Sequence, residues 1–388
     1  MDFTLSDIHE QTRNVVRAFA QKELAPGAQT RDEEERFERS IFDSMARIGI
    51  TGIPYPEIYG GADLDHLSNV IAIEEISKVD ASVGSDLSIH STLSCWLLSE
   101  FATDAQKKQY LKPLAEGKWL AAFSLTEANA GSDMANMQTT ARCDGDEFVL
   151  NGGKVFTSNG GVADIYIVFA KTDTSVGADG ISAFIVEKDR SGFTTGKPER
   201  KMGIRAHQVS ELIFEDCRVP RENLLGEEGQ GFAIARRALQ SGRLGMSAQA
   251  LGIAEAAYER ARDYAKTRVQ FNQPLAALQS IQFKLAEMAV KVETARLLVY
   301  DAAWRQSQGL PCALQSAMAK TYVPAVAMDN ANEAIQIHGG YGFIRDFSVE
   351  RLLRDAKITQ IYTGTIEMQK IEIARIILSE PIVEQNVI

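Results

Sequence analysis

Cysteine is scarce and scattered in this sequence. The four cysteines, Cys95, Cys143, Cys217 and Cys312, form no CxxC pair, and no histidine stands beside them at the spacing of metal ligands. We therefore expect neither a metal site nor a disulfide framework, and we interpret these residues as reduced, structural thiols.

Long apolar runs and an excess of basic residues are also missing. No apolar run approaches about 18 residues, and the start MDFTLSDIHEQ has neither the basic nor the apolar region of a signal peptide. With 41 Lys and Arg against 52 Asp and Glu, the net charge is −11, which argues against a surface that neutralises phosphates. The sequence predicts a cytoplasmic protein with no membrane insertion and no nucleic-acid partner.

The sequence has no Rossmann GxGxxG motif, so a nicotinamide-binding βαβ unit is disfavoured. Its 388 residues, 45% of them hydrophobic, suffice for two or three domains. Apolar residues recur at helical spacing up to about Leu114, and short β-rich segments follow. Long amphipathic patterns then return at 231–267, 276–307 and 313–337, with a final segment from 348 to about 379. We predict an α+β multidomain chain with an N-terminal helical domain (1–120), a middle antiparallel sheet or small barrel (121–226) and a C-terminal helical domain (227–388).

Two segments of the middle region are rich in small and hydroxyl residues. FSLTEANAGSD, residues 123–133, can present N–H and O–H groups to a flavin ring or a pyrophosphate, although the same composition is typical of an ordinary loop. VFTSNGG, residues 155–161, combines an aromatic ring, hydroxyls and a glycine turn after a strand; taken alone, it is a hairpin end. The residues by themselves leave both interpretations open.

Two segments of the C-terminal region have a similar ambiguity. RVQFNQPL puts Arg268 and Phe271 just before a helix, where they could hold a phosphate or adenine, or could be a solvated arginine and a core phenylalanine. QIHGGYGF ends a helix with Gly339 and Gly340. Such glycines cap helices by default, and they also allow close backbone approach to a cofactor.

Taken in order, these segments resemble the acyl-CoA dehydrogenase family, most closely its short-chain members. TEANAGSD is similar to the family's TEPxAGSD, SNGG to TNGG, RVQFNQPL to RxxFGxPL, QIHGGYGF to QxxGGxGY and YTGTIEMQ to YEGTxxIQ. The resemblance implies a helical N-terminal domain, a middle β-barrel or sheet domain and a C-terminal four-helix bundle. It also implies tightly bound FAD, an acyl-CoA substrate, a homotetramer and electron transfer to an electron-transferring flavoprotein.

The resemblance assigns cofactor contacts to individual positions. The isoalloxazine ring should be touched by Phe123, Leu125, Thr126, Phe156 and Ser158, with Ser132 near the diphosphate and the CoA. The adenosine diphosphate part should be held, across a dimer contact, by Arg268, Phe271, Gln336, Gly340, Thr365 and Glu367. Three positions depart from the family pattern: Phe156 replaces Trp, Asn272 replaces Gly, and Glu367 stands where Gln is common.

The resemblance also assigns substrate contacts. Arg243 matches an arginine that helps to place the CoA thioester. The other expected substrate contacts are Ser132, Ile89, His90, Leu93, Tyr362 and Gly364.

The catalytic base of the family is missing. In the family, a Glu after the Tyr of YEGT removes the α proton while a hydride leaves the β carbon for flavin N5. Thr363 occupies that position here, and a neutral hydroxyl cannot act as a general base, a role worth roughly 10²–10⁴-fold in rate. Some members carry the Glu just before the family's arginine, and the residue there is Gly242.

Asp86 is the candidate for a relocated base. It lies in ASVGSDLSIHSTL, which resembles the family helix lining the far part of the acyl pocket. On a regular helix Asp86, Ile89, His90 and Leu93 would share one face. A buried carboxylate is costly unless it is paired or functional. The alternative is that Asp86 caps this helix near its start.

A base deeper in the pocket suits a substrate that already has an α,β double bond. Conjugation makes the γ C–H acidic, so Asp86 could remove that proton while a hydride leaves another allylic carbon. Within the family this 1,4-elimination is associated with cyclohex-1-ene-1-carboxyl-CoA, and Thr363 would then suppress the competing 1,2-elimination. The other hypotheses are a conventional α,β-dehydrogenase of short saturated acyl-CoAs and a catalytically silent, flavin-binding electron-transfer partner.

Overall fold

The computed structural model describes residues 4–379, and its N-terminal part is helical. Buried apolar residues and local caps, such as Asp65 and the Thr103 capping box, define these helices. They are α1 (Asp7–Phe19), α2 (Ala28–Glu34), α3 (Arg39–Arg47), α4 (His66–Val79), α5 (Ala81–Ser88), α6 (Trp96–Phe101), α7 (Asp104–Gln106) and α8 (Lys112–Ala115).

The connection from α5 to α6 is a π-helix. Residues Ile89–Cys95 form i→i+5 turns, and all seven are buried. A π-helix turns less per residue than an α-helix, so the faces of α5 do not continue unchanged into this segment.

A sheet of eight strands forms the middle of the chain. Its strands are β1 (Ala121–Ser124), β2 (Thr140–Asp144), β3 (Glu147–Ser158), β4 (Ile165–Lys171), β5 (Ile181–Glu187), β6 (Phe193–Thr195), β7 (Val209–Pro220) and β8 (Leu224–Leu225). Their order is β6-β7-β3-β1-β4-β5-β8, with β2 beside β3 and β4. Most pairs are antiparallel, as predicted, but β4 runs parallel to β1 and to β2.

Long helices return after the sheet. The remaining elements are α9 (Gly231–Thr267), β9 (Val269–Gln270), β10 (Gln273–Pro274), α10 (Gln279–Ser307), α11 (Ala313–His338), α12 (Val349–Thr359) and α13 (Ile366–Ser379). The amphipathic pattern expected from 348 to 379 is therefore two helices separated by a turn. That turn contains Thr363 and Gly364, both with positive φ, which no helix can accommodate.

Helix α9 packs closely against the N-terminal helices because its contact face is made of small residues. A Cβ placed on Gly252 would lie 2.4 Å from the Glu74 carbonyl oxygen, and one placed on Gly245 would lie 2.2 Å from Ser88 Oγ. The predicted order of helices, sheet and helices is confirmed. Within residues 4–379 no helix is both long enough and apolar enough to cross a membrane.

Candidate active site

The turn between α12 and α13 brings the residues of the former YEGT motif to α9. Thr363 has φ of 57°, a left-handed conformation that a β-branched residue rarely adopts. Beside it, Tyr362 Oη donates a hydrogen bond to Gln249 Oε1 on α9 and lies 3.5 Å from Ser85 Oγ on α5. The turn is thus held against both helices.

The two positions at which the family carries its base lie side by side. A Cβ placed on Gly242 would lie 3.1 Å from Thr363 Cγ2 and 2.5 Å from Leu93 Cδ2. Neither position holds a carboxylate, and Leu93 fills the space that a side chain at 242 would need. We call residues 242 and 363 the base positions.

An apolar cluster includes Leu93, which lies beside the base positions. Ile89, Leu93 and Leu125 are buried in this cluster, and Phe123 and Tyr362 pack against it. The cluster contains two residues that we expect to touch the flavin and three that we expect to touch the acyl group. We call these five residues the acyl cluster.

The residues expected at the isoalloxazine meet at neighbouring strands. Phe123 of β1 is the register partner of Ser158 of β3, and the Thr126 carbonyl accepts a hydrogen bond from Val155 N–H at 2.9 Å. Phe156 is 66% exposed and has φ of 56°, so a large aromatic ring stands open beside these strands. We call residues 123–126 and 156–158 the flavin segment. Ser132 is exposed in the turn that follows it.

A buried ion pair that was not anticipated holds the TEANAGSD turn. Lys154 Nζ lies 2.7 Å from Glu127 Oε1 and donates to the Leu125 carbonyl at 3.2 Å, while Glu127 accepts from Thr139 N–H. Burial lowers the pKa of Lys154 to about 8. The pair fixes the backbone on which Leu125 and Thr126 stand.

Asp86 is buried within α5, with 5% of its surface exposed. Its Oδ1 accepts from His207 Nδ1 at 2.6 Å, and its carbonyl accepts from Asn159 Nδ2 at 3.4 Å. Asn159 directly follows the flavin segment, whereas Ser85, one residue before Asp86, faces Tyr362. The Asp86 backbone is therefore next in the chain to a residue that faces Tyr362, and its carbonyl contacts the residue that follows the flavin segment.

The capping interpretation of Asp86 is wrong. Helix α5 begins at Ala81, and its N-cap is Asp80, whose side chain accepts from Ser82 and Val83 N–H. Asp86 lies five residues inside the helix, where no free N–H needs a cap.

Burial raises the pKa of Asp86, and the hydrogen bond from His207 opposes that rise. The carboxylate also borders a cavity of about 10 Å³, on the scale of a single water molecule, that Arg31, Glu38 and Phe42 line with it. No hydrogen bond within the described residues engages Asp86 Oδ2.

His90 does not share the environment of the acyl cluster. Its Nδ1 accepts from Ala121 N–H at 3.2 Å and its Nε2 donates to the Leu114 carbonyl at 3.1 Å, while its ring packs edge-on against Phe42. Both nitrogens are used by backbone, and the side chain is fully buried. The expected substrate contact is corrected: His90 joins its helix to β1. The π-helix that begins at Ile89 explains why the predicted single face does not persist.

A cavity of about 420 Å³ lies at the opposite end of α9. Arg268 and Gly340 line it with Tyr341, and the Arg268 guanidinium stands 5.4 Å from the centre of the Tyr341 ring. A Cβ placed on Gly340 would meet nothing within 4 Å, and Phe271 is 85% exposed. These residues fit a nucleotide diphosphate because they combine a cation, open backbone and exposed aromatic surface.

The structure separates the six residues expected at the adenosine diphosphate. Arg268 and Gly340 share the 420 Å³ cavity, and the exposed Gln336 is on the helix that precedes it. Thr365 and Glu367 instead stand at the start of α13, next to the turn with Tyr362. The expectation that these contacts are made across a dimer did not say which of the six residues belong to which copy.

Two cationic side chains stand near the turn at Tyr362. Arg243 Nε has no hydrogen-bond partner within residues 4–379, and burial lowers the pKa of the guanidinium. Lys320 of α11 is fully buried and donates from Nζ to the Thr359 carbonyl. Burial lowers the pKa of Lys320 to about 7, and Arg243 adds to that effect.

Known proteins identify this arrangement. Residues 6–118, 122–217 and 229–378 match the acyl-CoA dehydrogenase N-terminal, middle and C-terminal domains. The chain belongs to the acyl-CoA dehydrogenase family. The short-chain specific acyl-CoA dehydrogenase of Clostridium acetobutylicum is 49% identical to it over 96% of this chain and 99% of that protein.

Solved structures agree with the family assignment. Butyryl-CoA dehydrogenase from Megasphaera elsdenii superposes with a TM-score of 0.96 at 48% identity, over 97% of this chain and 100% of that chain. A chain in the structure of the electron transferring flavoprotein of Acidaminococcus fermentans gives 0.97 at 48% identity, over 98% and 100%. PigA with FAD and proline gives 0.93 at 31% identity, over 97% and 99%.

The acyl-CoA dehydrogenase described here is an FAD-dependent oxidoreductase acting on CH–CH bonds. The flavin segment and the Arg268 cavity fit the two ends of FAD by their exposed aromatic rings, open backbone and cation. Among the described residues no group of three or more His, Cys, Asp or Glu side chains could hold a metal ion.

Proposed function

We propose that this acyl-CoA dehydrogenase catalyses 1,4-dehydrogenation of a cyclic α,β-unsaturated thioester such as cyclohex-1-ene-1-carboxyl-CoA, with Asp86 as the base. One observation carries the proposal: both base positions lack a carboxylate, while Asp86 is a buried carboxylate whose chain neighbour Ser85 faces Tyr362 and whose carbonyl contacts Asn159 at the end of the flavin segment. A carboxylate in that environment is costly unless the protein uses it or pairs it.

The proposed reaction follows from what each side chain can do. Asp86 Oδ2, free of hydrogen bonds among the described residues, takes the γ proton, which conjugation with the thioester has made acidic. Bound FAD supplies the hydride acceptor. Thr363 offers no base at the α carbon, so elimination across α and β is suppressed. Arg243 is proposed to help place the CoA thioester, and its Nε is free to donate.

A second candidate is conventional α,β-dehydrogenation of a short, saturated acyl-CoA. It is favoured by the relatives named short-chain specific and by the butyryl-CoA dehydrogenase structure. It requires a base near the α carbon, and neither base position supplies one.

Anaerobic bleaching of the flavin distinguishes the candidates. The FAD-loaded protein is mixed with cyclohex-1-ene-1-carboxyl-CoA or with butyryl-CoA, and the loss of the oxidised flavin band is followed. Faster bleaching by the cyclic thioester is expected. Faster bleaching by butyryl-CoA would favour the second candidate, and no bleaching by either thioester would favour a catalytically silent flavoprotein.

The proposed partners are an electron-transferring flavoprotein and further copies of this chain. The first is supported by the chain in the electron transferring flavoprotein structure. The second is supported by α10, on which Phe283, Val290, Leu297 and Trp304 recur every seven residues and are 46% to 66% exposed. We call these four residues the α10 stripe. A helix with such a row needs a packing partner, and a homotetramer would supply one.

A further inference from the structure

A hydrogen bond between Asp86 and His207 links the N-terminal helical part of the chain to the middle sheet. Asp86 is on α5, and His207 is in the loop that leads into β7. Both side chains are almost completely buried, at 5% and 0% exposure. His207 Nδ1 and Asp86 Oδ1 are 2.6 Å apart, the distance of a short, charge-assisted hydrogen bond.

The loop that carries His207 is fixed to the flavin segment. Asn159 N–H donates to the Gln208 carbonyl at 2.8 Å, and Asn159 Nδ2 reaches the Asp86 carbonyl. His207 N–H in turn donates to the Ile204 carbonyl. The imidazole is therefore held in one position relative to both the carboxylate and the end of β3.

The two oxygens of the Asp86 carboxylate have different surroundings. Oδ1 accepts from His207 Nδ1, which must carry the proton because an ionised carboxylate can only accept. Oδ2 has no partner among the described residues. His207 Nε2, equally buried, has none either.

We propose that His207 is the positioning residue of the base: its Nδ1–H holds Asp86 ionised and leaves Oδ2 as the atom that takes the substrate proton. This inference rests on the proposed function. In the step, the γ C–H bond breaks and an O–H bond forms at Oδ2. The electron pair of that C–H bond becomes part of the new diene, and a second C–H bond, at the other allylic carbon, breaks to give its hydrogen with both electrons as the hydride to FAD.

Other charged groups lie near Asp86 and also influence the pKa of its carboxyl group. On its own helix Asp80 is paired with Arg31, and the carboxylate shares its small cavity with Arg31, Arg36 and Glu38 of the N-terminal region. From the middle domain, Lys201 favours the ionised form while Asp80 opposes it. His207 alone among them bonds directly to the carboxylate.

The test is the pH dependence of kcat with cyclohex-1-ene-1-carboxyl-CoA and an artificial acceptor, using FAD-loaded enzyme. His207→Phe removes the N–H that donates to the Asp86 carboxylate, so the pKa of Asp86 should rise. The acidic limb of the pH profile of kcat should therefore move up by about one to two pH units. His207→Asn keeps an N–H near the position of Nδ1 and should restore the limb towards wild type. His66→Gln, at the start of α4, is the control for loss of an imidazole elsewhere.

The outcomes separate this inference from the proposed function. If Asp86→Asn retains wild-type turnover, the proposed function and the inference both fail. If turnover depends on Asp86 but His207→Phe leaves the limb in place, only the inference fails. A limb that moves equally in the Phe and Asn variants also contradicts it, because the N–H group would then not be the cause.

Discussion

At the scale of single residues, the two positions at which the family carries its base are neighbours in this enzyme. A Cβ placed on Gly242 would lie 3.1 Å from Thr363 Cγ2, and each of the two residues stands where a relative could carry the catalytic glutamate. The two are not equivalent, because Leu93 occupies the space beside Gly242 whereas Thr363 already has a side chain directed at α9. A side chain at position 242 would require Leu93 to move.

Thr363→Glu should therefore create or raise α,β-dehydrogenation of butyryl-CoA, by about 10²-fold if the base is the missing element. The rate is measured with FAD-loaded protein and an artificial acceptor. Thr363→Gln has nearly the same shape without the ionisable group and should give no increase. Equal rates in the two variants would mean that the missing base does not limit this reaction.

The sequence predicted some residues of the site and missed others for identifiable reasons. Phe123, Leu125 and Tyr362 belong to motifs, and the structure brings them into one cluster. His207 belongs to no motif, and it meets Asp86 across 121 residues of sequence, so only the folded chain reveals the contact. Lys154 was missed because its partner Glu127 lies on another element.

At the scale of elements, the helix that carries Asp86 was predicted correctly, but its continuation after Ser88 is a different type of helix. Periodicity assumes 3.6 residues per turn, and the π-helix Ile89–Cys95 breaks that assumption. As a result, Leu93 reaches the base positions while His90 faces β1. Nothing in the composition of IHSTLSC distinguishes these two types of helix.

The end of α12 gives a prediction about pH. Lys320 donates to the carbonyl of Thr359 inside the core, and its pKa falls from 10.5 to about 7. Above about pH 7 the folded chain has released a proton that the unfolded chain keeps until about pH 10.5, so this residue makes stability rise with pH across that window.

Lys320→Met should remove that rise. The difference in free energy of unfolding, wild type minus variant, should increase between pH 7 and 10 by up to about 1.4 kcal/mol per pH unit. Urea unfolding at several pH values measures it. Lys357→Met, on an exposed side chain of α12, should leave the slope unchanged. A pH-independent difference for Lys320→Met would contradict the assigned titration.

At the scale of the whole molecule, the order of helices, sheet and helices was predictable because each part has its own hydrophobic period. Turn-rich, β-branched segments identified the sheet, and amphipathic patterns identified α9 to α11 closely. The two parallel contacts of β4 were not predictable, since they depend on which strands meet after the chain has crossed the sheet.

The α10 stripe predicts assembly. Val290→Glu places a charge in the middle of that row, so the variant should form smaller oligomers than wild type, as measured by light scattering after size exclusion. If the Arg268 cavity serves the FAD of a neighbouring copy, FAD content per chain should fall as well. Val176→Glu, at a valine of the middle domain that is 51% exposed against 66% for Val290, is the control. Unchanged mass in Val290→Glu would contradict the role of the stripe.

The central claim is that Asp86 takes the substrate proton, and the turnover of cyclohex-1-ene-1-carboxyl-CoA by Asp86→Asn tests it most directly. The variant keeps the shape of the side chain but cannot accept the proton, so turnover should fall by roughly 10²-fold or more, with FAD content and thioester binding near wild type. Asp80→Asn, the same change at the N-cap of α5, should lower stability and leave the turnover of FAD-loaded enzyme near wild type, because Asp80 is bonded to Arg31 and the helix start. Wild-type turnover in Asp86→Asn at saturating substrate would contradict the account.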